Sequence, residues 1–165
     1  MGMIKLSNFK CIKQENSEEE SKKQWERSKI IFDQFFEYLK SHGLKENTVG
    51  KRTDMAAYFI MNYVFVYEDL ESILEVSGDT IRKFLGNWYI RKSMDPNIAT
   101  IKSFLRAISD FFTFIHKEGF ITDEDLDDIK EVCEDISWFE MRLRTYYMVS
   151  EEDFLKWIDE YNYDW

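Results

Sequence analysis

The sequence contains very little proline or glycine: one Pro, Pro96, and six Gly among 165 residues. Turns draw heavily on these two residue types, and sheet-rich folds need many turns. Their scarcity argues against a sheet-rich fold and predicts long helices joined by short loops. We therefore expect an all-α protein.

Long apolar runs are also missing. No run approaches the roughly 20 residues that a membrane-spanning helix needs, and the first residues lack the apolar segment of a signal peptide. The two cysteines, Cys11 and Cys133, lie far apart. In a chain without an export signal, free thiols are the expectation. These absences predict a cytoplasmic protein with no membrane partner.

Catalytic and metal-binding motifs are absent as well. Only two His are present, His42 and His116, and both lie near predicted helix ends, where they favour the helix dipole and need no catalytic role. No HExxH, CxxC, Gly-rich phosphate loop or GxSxG sequence occurs. Acidic pairs such as Glu124 and Asp128 are interpreted as a solvated helix face. We expect no enzymatic activity, no metal and no cofactor.

Aromatic residues are abundant, at 17% of the chain, and suffice to fill one hydrophobic core. Apolar residues recur at three- and four-residue steps between capping and stop signals, which predicts a series of helices. The strongest pattern runs from Ile101 to Ile115 and predicts the central core helix. The expected helix starts are Ser17, Asn47, Ser77, Asp95-Pro96, Thr122 and Ser150, with stops at Gly43 and Gly119, a second-helix end near Phe65 and a short helical turn over 68–74.

The charge of the chain is unevenly distributed. The net charge is −10, but residues 1–42 carry +1, residues 43–118 are neutral, and residues 119–165 carry −11. The middle of the chain can therefore present a basic face. Lys102 and Arg106 lie at i, i+4 on the predicted core helix, away from its apolar stripe. On charge alone, the favoured interpretation of these cations is a solvated face that forms ion pairs with neighbouring acids.

Residues 44–121 carry three segments with a familiar order: KENTVGKRTDMAAYFIMNYV, SGDTIRKFLGNWYIRK and DPNIATIKSFLRAISDFFTFIHKEGFI. Together with the preceding FEYLKSHGL, they resemble the core-binding, SAM-like N-terminal domain of tyrosine recombinases and phage integrases. The resemblance implies an orthogonal four-helix SAM-like bundle with additional N- and C-terminal helices. The expected layout is an extended or disordered arm over 1–16, the core-binding helical domain over 17–121, and an acidic helical extension of the same domain over 122–165.

In that family the domain arches over one side of double-stranded DNA and contacts it with basic and hydroxyl residues. By matching position, the implied DNA contacts are Thr48, Lys51, Arg52, Lys102, Ser103 and Arg106. The family's chemistry belongs to a separate domain with an Arg, a Lys, an H-x-x-R box and a nucleophilic Tyr, and residues 122–165 offer no counterpart.

The resemblance thus implies a DNA-binding protein that does not cut DNA, accessory to DNA integration or recombination, with a full-length recombinase or another protein as a further partner. The alternative is a protein-interaction module on the same fold that does not bind DNA. In that case the acidic extension covers the basic face or contacts a partner through aromatic residues near the C-terminus. The suspected aromatic contacts are Trp157, Tyr161, Tyr163 and Trp165, although core packing is the more natural role for Trp157.

Overall fold

The computed structural model describes residues 3–11 and 18–160 of the chain. The helices are α1 (Glu18–Ser41), α2 (Glu46–Tyr58), α3 (Gly78–Lys83), α4 (Tyr89–Lys92), α5 (Ile98–Lys117), α6 (Asp123–Glu134), α7 (Ile136–Met148) and α8 (Glu151–Asp159). Within these described ranges there is no strand, and extended pairing is limited to one isolated bridge between Lys10 and Ser72. The expectation of an all-α fold is confirmed. In the same ranges, the helices are too short or too polar to traverse a bilayer.

Helix α5 lies at the centre of the core, as its sequence period predicts. Its apolar residues return to the same side every three or four positions, so the helix can bury a wide stripe. Neighbours contact it on several sides, namely α1, α2, α6 and α7. The buried α5 residues are Ile101, Phe104, Leu105, Ala107, Ile108, Phe111, Phe112, Phe114 and Ile115.

Two π-helical segments pack against each other beside α5. One (Phe59–Val64) continues α2, and the other (Phe84–Trp88) joins α3 to α4. The ring of Phe84 lies 4.8 Å from that of Phe59 and 4.9 Å from that of Tyr63, measured between centroids. The predicted end of the second helix near Phe65 agrees with the end of the first π-segment.

The helical turn predicted over 68–74 does not start at residue 68. Asp69 has a φ of 59°, in the left-handed region that a continuing right-handed helix cannot use. The chain instead forms one 3₁₀ turn (Ile73–Glu75). Tyr63 stabilises the turn that follows the first π-segment, because its buried hydroxyl donates a 2.7 Å hydrogen bond to Glu68 Oε1. Burial and the nearby carboxylate raise the pKa of Tyr63 far above its ordinary value, so it stays protonated.

Three of the predicted helix caps are confirmed. The side chains of Ser77, Thr122 and Ser150 each accept a hydrogen bond from the backbone N–H three residues later, which satisfies one of the unpaired donors of a helix start. Gly43 ends α1 with a φ of +80°, as expected for a left-handed stop. The proposed cap at Ser17 lies outside the described residues.

Two predicted helix starts are wrong. α2 begins one residue before Asn47, with Lys45 at the N-cap and no side-chain capping bond. α5 begins at Ile98 rather than at Pro96, because Asn97 provides the cap and accepts a 2.9 Å bond from the Thr100 N–H. Polar residues cluster at both starts, so the sequence offers more than one candidate cap at each.

Within the arm predicted over 1–16, residues 3–11 pack on the bundle. Residues 1–2 and 12–16 lie outside the described residues. A 3₁₀ turn (Leu6–Phe9) buries Phe9 completely. The Phe9 ring lies 4.6 Å from that of Phe120. The Cys11 N–H donates a 2.7 Å bond to the Glu71 carbonyl.

Helices α6 to α8 contribute side chains to the same hydrophobic core as α5. Leu126, Ile129, Phe139 and Trp157 are all buried in it. Trp157 therefore packs in the core, which was the role expected of it. Tyr161, Tyr163 and Trp165 lie outside the described residues.

Helix α7 was not predicted, and it carries the largest fully buried side chain, Arg142. Arg142 Nε donates 2.9 Å to the Gly86 carbonyl, and Nη2 donates 3.1 Å to the Trp157 carbonyl. Its guanidinium also lies 3.8 Å from the Trp157 ring centroid and 3.3 Å from Glu160 Oε2. Gly86 is required at this crossing, since a Cβ there would lie 2.5 Å from the Trp138 ring. Arg142 thus ties α7 and α8 to the second π-segment.

We predict that Arg142→Leu destabilises the protein by about 2–4 kcal/mol, because two buried carbonyls lose their donor. Arg144→Leu is the matched control, since Arg144 is exposed on the same helix and surface changes stay within about 0.5 kcal/mol. Urea unfolding of both variants measures the difference. Equal stability losses in the two variants would contradict the anchoring role.

Candidate nucleic-acid interface

Helices α2 and α5 run antiparallel and form a groove along their contact. Arg52 on α2 pairs with Asp110 on α5, and six residues further along α2 the ring of Tyr58 lies 5.9 Å from that of Phe104. Residue numbers therefore rise along α2 as they fall along α5. The numbers of the two contacting residues have the same sum in both pairs. This register decides which side chains meet across the two helices.

The groove between them, here called the α2–α5 groove, has a volume of about 290 Å³. Its lining brings together five of the six residues implied as DNA contacts. The lining residues are Asn47, Thr48, Lys51, Arg52, Met55, Ser103 and Arg106. Positions more than 50 residues apart in sequence thus converge on one surface.

The three cations of this groove differ in their surroundings. Arg52 Nη1 donates a 2.7 Å bond to Asp110 Oδ2, and only 19% of the Arg52 side chain is exposed. Lys51 and Arg106 are exposed, and among the described residues neither has an acidic partner. Arg52 is therefore committed to joining the two helices. Lys51 and Arg106 are the cations that face solvent.

The hydroxyl groups of Ser103 and Thr48 contribute less to phosphate binding than their position in the groove suggests. Ser103 Oγ donates its proton to the Ala99 carbonyl at 3.0 Å, one turn back on the same helix. That proton is not available to a phosphate while the bond persists. Thr48 is half-buried in the groove wall. The groove thus depends on charge more than on hydroxyl donors.

Lys102, the sixth residue, lines a neighbouring groove of about 290 Å³ between α5 and the acidic helices. Its Nζ lies 4.0 Å from Glu140 Oε1, and about half of each side chain is exposed. Arg106 lines both grooves, whereas Glu134 lines only this second one. Carboxylates of α6 and α7 therefore flank the α2–α5 groove on the α5 side without filling it.

A larger depression of about 720 Å³ adjoins the α2–α5 groove along α2. It shares Lys51 with the α2–α5 groove but is also lined by Glu46, Asp54 and the half-exposed Tyr58. Two carboxylates beside one ammonium disfavour an anionic ligand. The smaller α2–α5 groove is therefore the better candidate for nucleic acid, despite its size.

The histidines and cysteines occupy structural positions. His116 Nε2 lies 2.6 Å from Asp123 Oδ1 and links the end of α5 to the start of α6. Cys133 is a free thiol, and burial raises its pKa to about 12, so it is unreactive at neutral pH. Across residues 3–11 and 18–160, no three His, Cys, Asp or Glu side chains are grouped to hold a metal ion.

Comparison of the chain with protein-family models, curated proteins and solved structures found no match. The resemblance to recombinase core-binding domains, including the SAM-like arrangement of the helices, stays a prediction. Function must be argued from the groove itself.

We predict that Arg52→Met lowers the free energy of unfolding by about 1 kcal/mol, because a partly buried, charge-assisted hydrogen bond is lost. Lys51→Met, one residue away on the exposed side, is the control and is expected to leave stability within about 0.5 kcal/mol. Chemical denaturation compares the two. A larger loss for Lys51→Met than for Arg52→Met would reverse the assignment of structural and free cations.

Proposed function

We propose that the protein binds double-stranded DNA through the α2–α5 groove without cutting it, in the manner of a recombinase core-binding domain. The observation that supports this is the convergence of Lys51 and Arg106, two exposed cations without acidic partners, on one groove. The Arg52–Asp110 ion pair holds the two helices that present them.

Both cations suit the phosphate backbone. The guanidinium of Arg106 can donate two parallel hydrogen bonds to one phosphate, and Lys51 supplies a compact point charge. Phosphate contacts position a protein on the duplex and carry no sequence information directly. The groove therefore supports general DNA binding, and a sequence preference needs further contacts.

The net charge of −10 does not oppose this proposal uniformly. Helix α6 alone carries seven acids and one Lys, so a large share of the negative charge lies there. Such a charge distribution repels DNA from the acidic side and favours its approach from the basic side. The same charge distribution weakens binding, because only a few cations attract DNA to a protein whose net charge is negative. A complete recombinase or another protein that tethers this domain to DNA would supply the missing affinity.

The alternative, a protein-interaction module on the same fold, shares the acidic helices but requires no cation in the groove. The two proposals differ in one measurable property. Phosphate contacts release counterions, so DNA affinity falls with salt, by a slope of about −0.9 in log K per log salt for each contact.

We predict that Lys51→Ala with Arg106→Ala makes this slope shallower by about 1.8, since two phosphate contacts are removed. Fluorescence anisotropy of a labelled 20-base-pair duplex, titrated at several salt concentrations, provides the slope. The control pair is Arg144→Ala with Lys156→Ala, which removes the same charge from exposed positions on α7 and α8.

A wild-type protein that shows no salt-dependent binding would refute the DNA proposal and favour the interaction module. Equal slopes for the groove pair and the control pair would show that total charge, and not the groove, attracts the duplex.

A second prediction concerns the acids beside the groove. Glu134→Gln with Glu140→Gln is expected to strengthen DNA binding, because these carboxylates lie next to Arg106 and Lys102. Asp127→Asn with Glu131→Gln removes the same charge from exposed positions of α6 and is expected to have a smaller effect. The anisotropy titration at low salt compares them. An equal gain in both variants would contradict a local role for the flanking acids.

Deleting the acidic extension is not an equivalent experiment. Leu126, Ile129, Phe139 and Trp157 belong to the hydrophobic core, so truncation would expose the bundle. Charge-neutralising substitutions leave this core intact.

A further inference from the structure

We infer that the DNA-binding surface extends beyond the α2–α5 groove to a second pair of cations, Lys45 and Lys117, which binds other phosphates of the same DNA backbone. This inference rests on the proposed function. Its ligand is the sugar–phosphate backbone of one strand of a DNA duplex.

The register of the two helices places these lysines opposite each other. Arg52 meets Asp110, and Tyr58 meets Phe104, with the same sum of residue numbers at each contact. Lys45 precedes Arg52 by seven residues, and Lys117 follows Asp110 by seven, which is two helical turns on both helices. Lys45 is the N-cap of α2, and Lys117 is the last residue of α5. Both therefore lie at the same end of the α2–α5 contact.

Side-chain contacts independently connect Lys117 to the groove. Its Nζ lies 5.2 Å from the ring centroid of Tyr38, on α1. The Tyr38 ring lies 5.3 Å from that of Phe114, which follows Asp110 by one turn of α5. Asp110 in turn holds Arg52 at the groove wall. Lys117 thus lies beside α1 and two turns of α5 beyond the residue that holds Arg52 at the groove wall.

Both lysines are available to a ligand. Lys45 and Lys117 are exposed, and within the described part of the chain no carboxylate pairs with either. The acids next to them in sequence are Glu46 and Glu118. Glu46 lines the depression that adjoins the α2–α5 groove and not the groove itself, and Glu118 lines neither. The end of the contact therefore presents two ammonium groups toward solvent.

The length of this surface fits a DNA backbone. Eleven residues separate Arg106 from Lys117 on α5, which is about 16 Å at about 1.5 Å per residue. Phosphates of one strand advance by about 3.4 Å each along the duplex axis, so Arg106 and Lys117 are too far apart to bind the same phosphate. By the same register Lys51 lies about midway, so Arg106 at one end, Lys51 near the middle and Lys45 and Lys117 at the other end can bind separate phosphates of one strand.

The test compares two double variants on the same labelled 20-base-pair duplex across a series of salt concentrations. With four phosphate contacts, the wild-type slope is expected to be about −3.6, and Lys45→Ala with Lys117→Ala is expected to reduce it to about −1.8. Lys51→Ala with Arg106→Ala is expected to do the same. Arg144→Ala with Lys156→Ala is again the control for lost charge, and thermal unfolding checks that each variant keeps its fold.

The outcomes separate the two proposals. A wild-type slope in Lys45→Ala with Lys117→Ala, beside a reduced slope in the groove variant, overturns the extended surface and leaves the proposed function standing. A wild-type protein without salt-dependent binding overturns both. A reduced slope in the variant at Lys45 and Lys117, with the control unchanged, supports the extended surface.

Discussion

The packing of α5 against its neighbours is the constraint on which the rest of the molecule depends. Its apolar residues, from Ile101 to Ile115, are buried on several sides at once, so the direction of this helix fixes where α2 and α6 can lie. The Arg52–Asp110 ion pair joins α2 to α5 in one register. That register turns separate basic residues into one surface. If α5 packed one turn out of place, Lys51 and Arg106 would no longer face the same groove.

The same helix separates the two kinds of charge. On one side it meets α2, whose exposed Lys51 remains without an acidic partner in the described chain; on the other it meets α6, which carries seven acids. Arg106 lines the grooves on both sides, so it lies at the boundary. A strongly acidic protein can therefore keep a basic face. The average charge conceals this arrangement, because it depends on which side of α5 each helix covers.

Much of the fold could be predicted because it follows from local chemistry. The period of α5, the caps at Ser77 and Thr122 and the stop at Gly43 all act within a few residues of the chain. Helix α7 escaped prediction because its central residue, Arg142, is polar by type yet fully buried; its partners, the carbonyls of Gly86 and Trp157, come from distant segments. The groove was partly predictable. Five implied contacts converge on it, but Lys102 turns toward Glu140, and the proposed extension to Lys45 and Lys117 depends on the register of two helices.

The central claim is that DNA lies along the contact between α2 and α5. Chemical-shift mapping of the ¹⁵N-labelled protein with an unlabelled duplex at low salt tests it most directly. The account predicts that perturbed amides cluster over residues 45–52 and 103–117, while the exposed positions of α6 and α8 stay unchanged. Perturbations concentrated on α6 to α8, or none anywhere at saturating duplex, would contradict it.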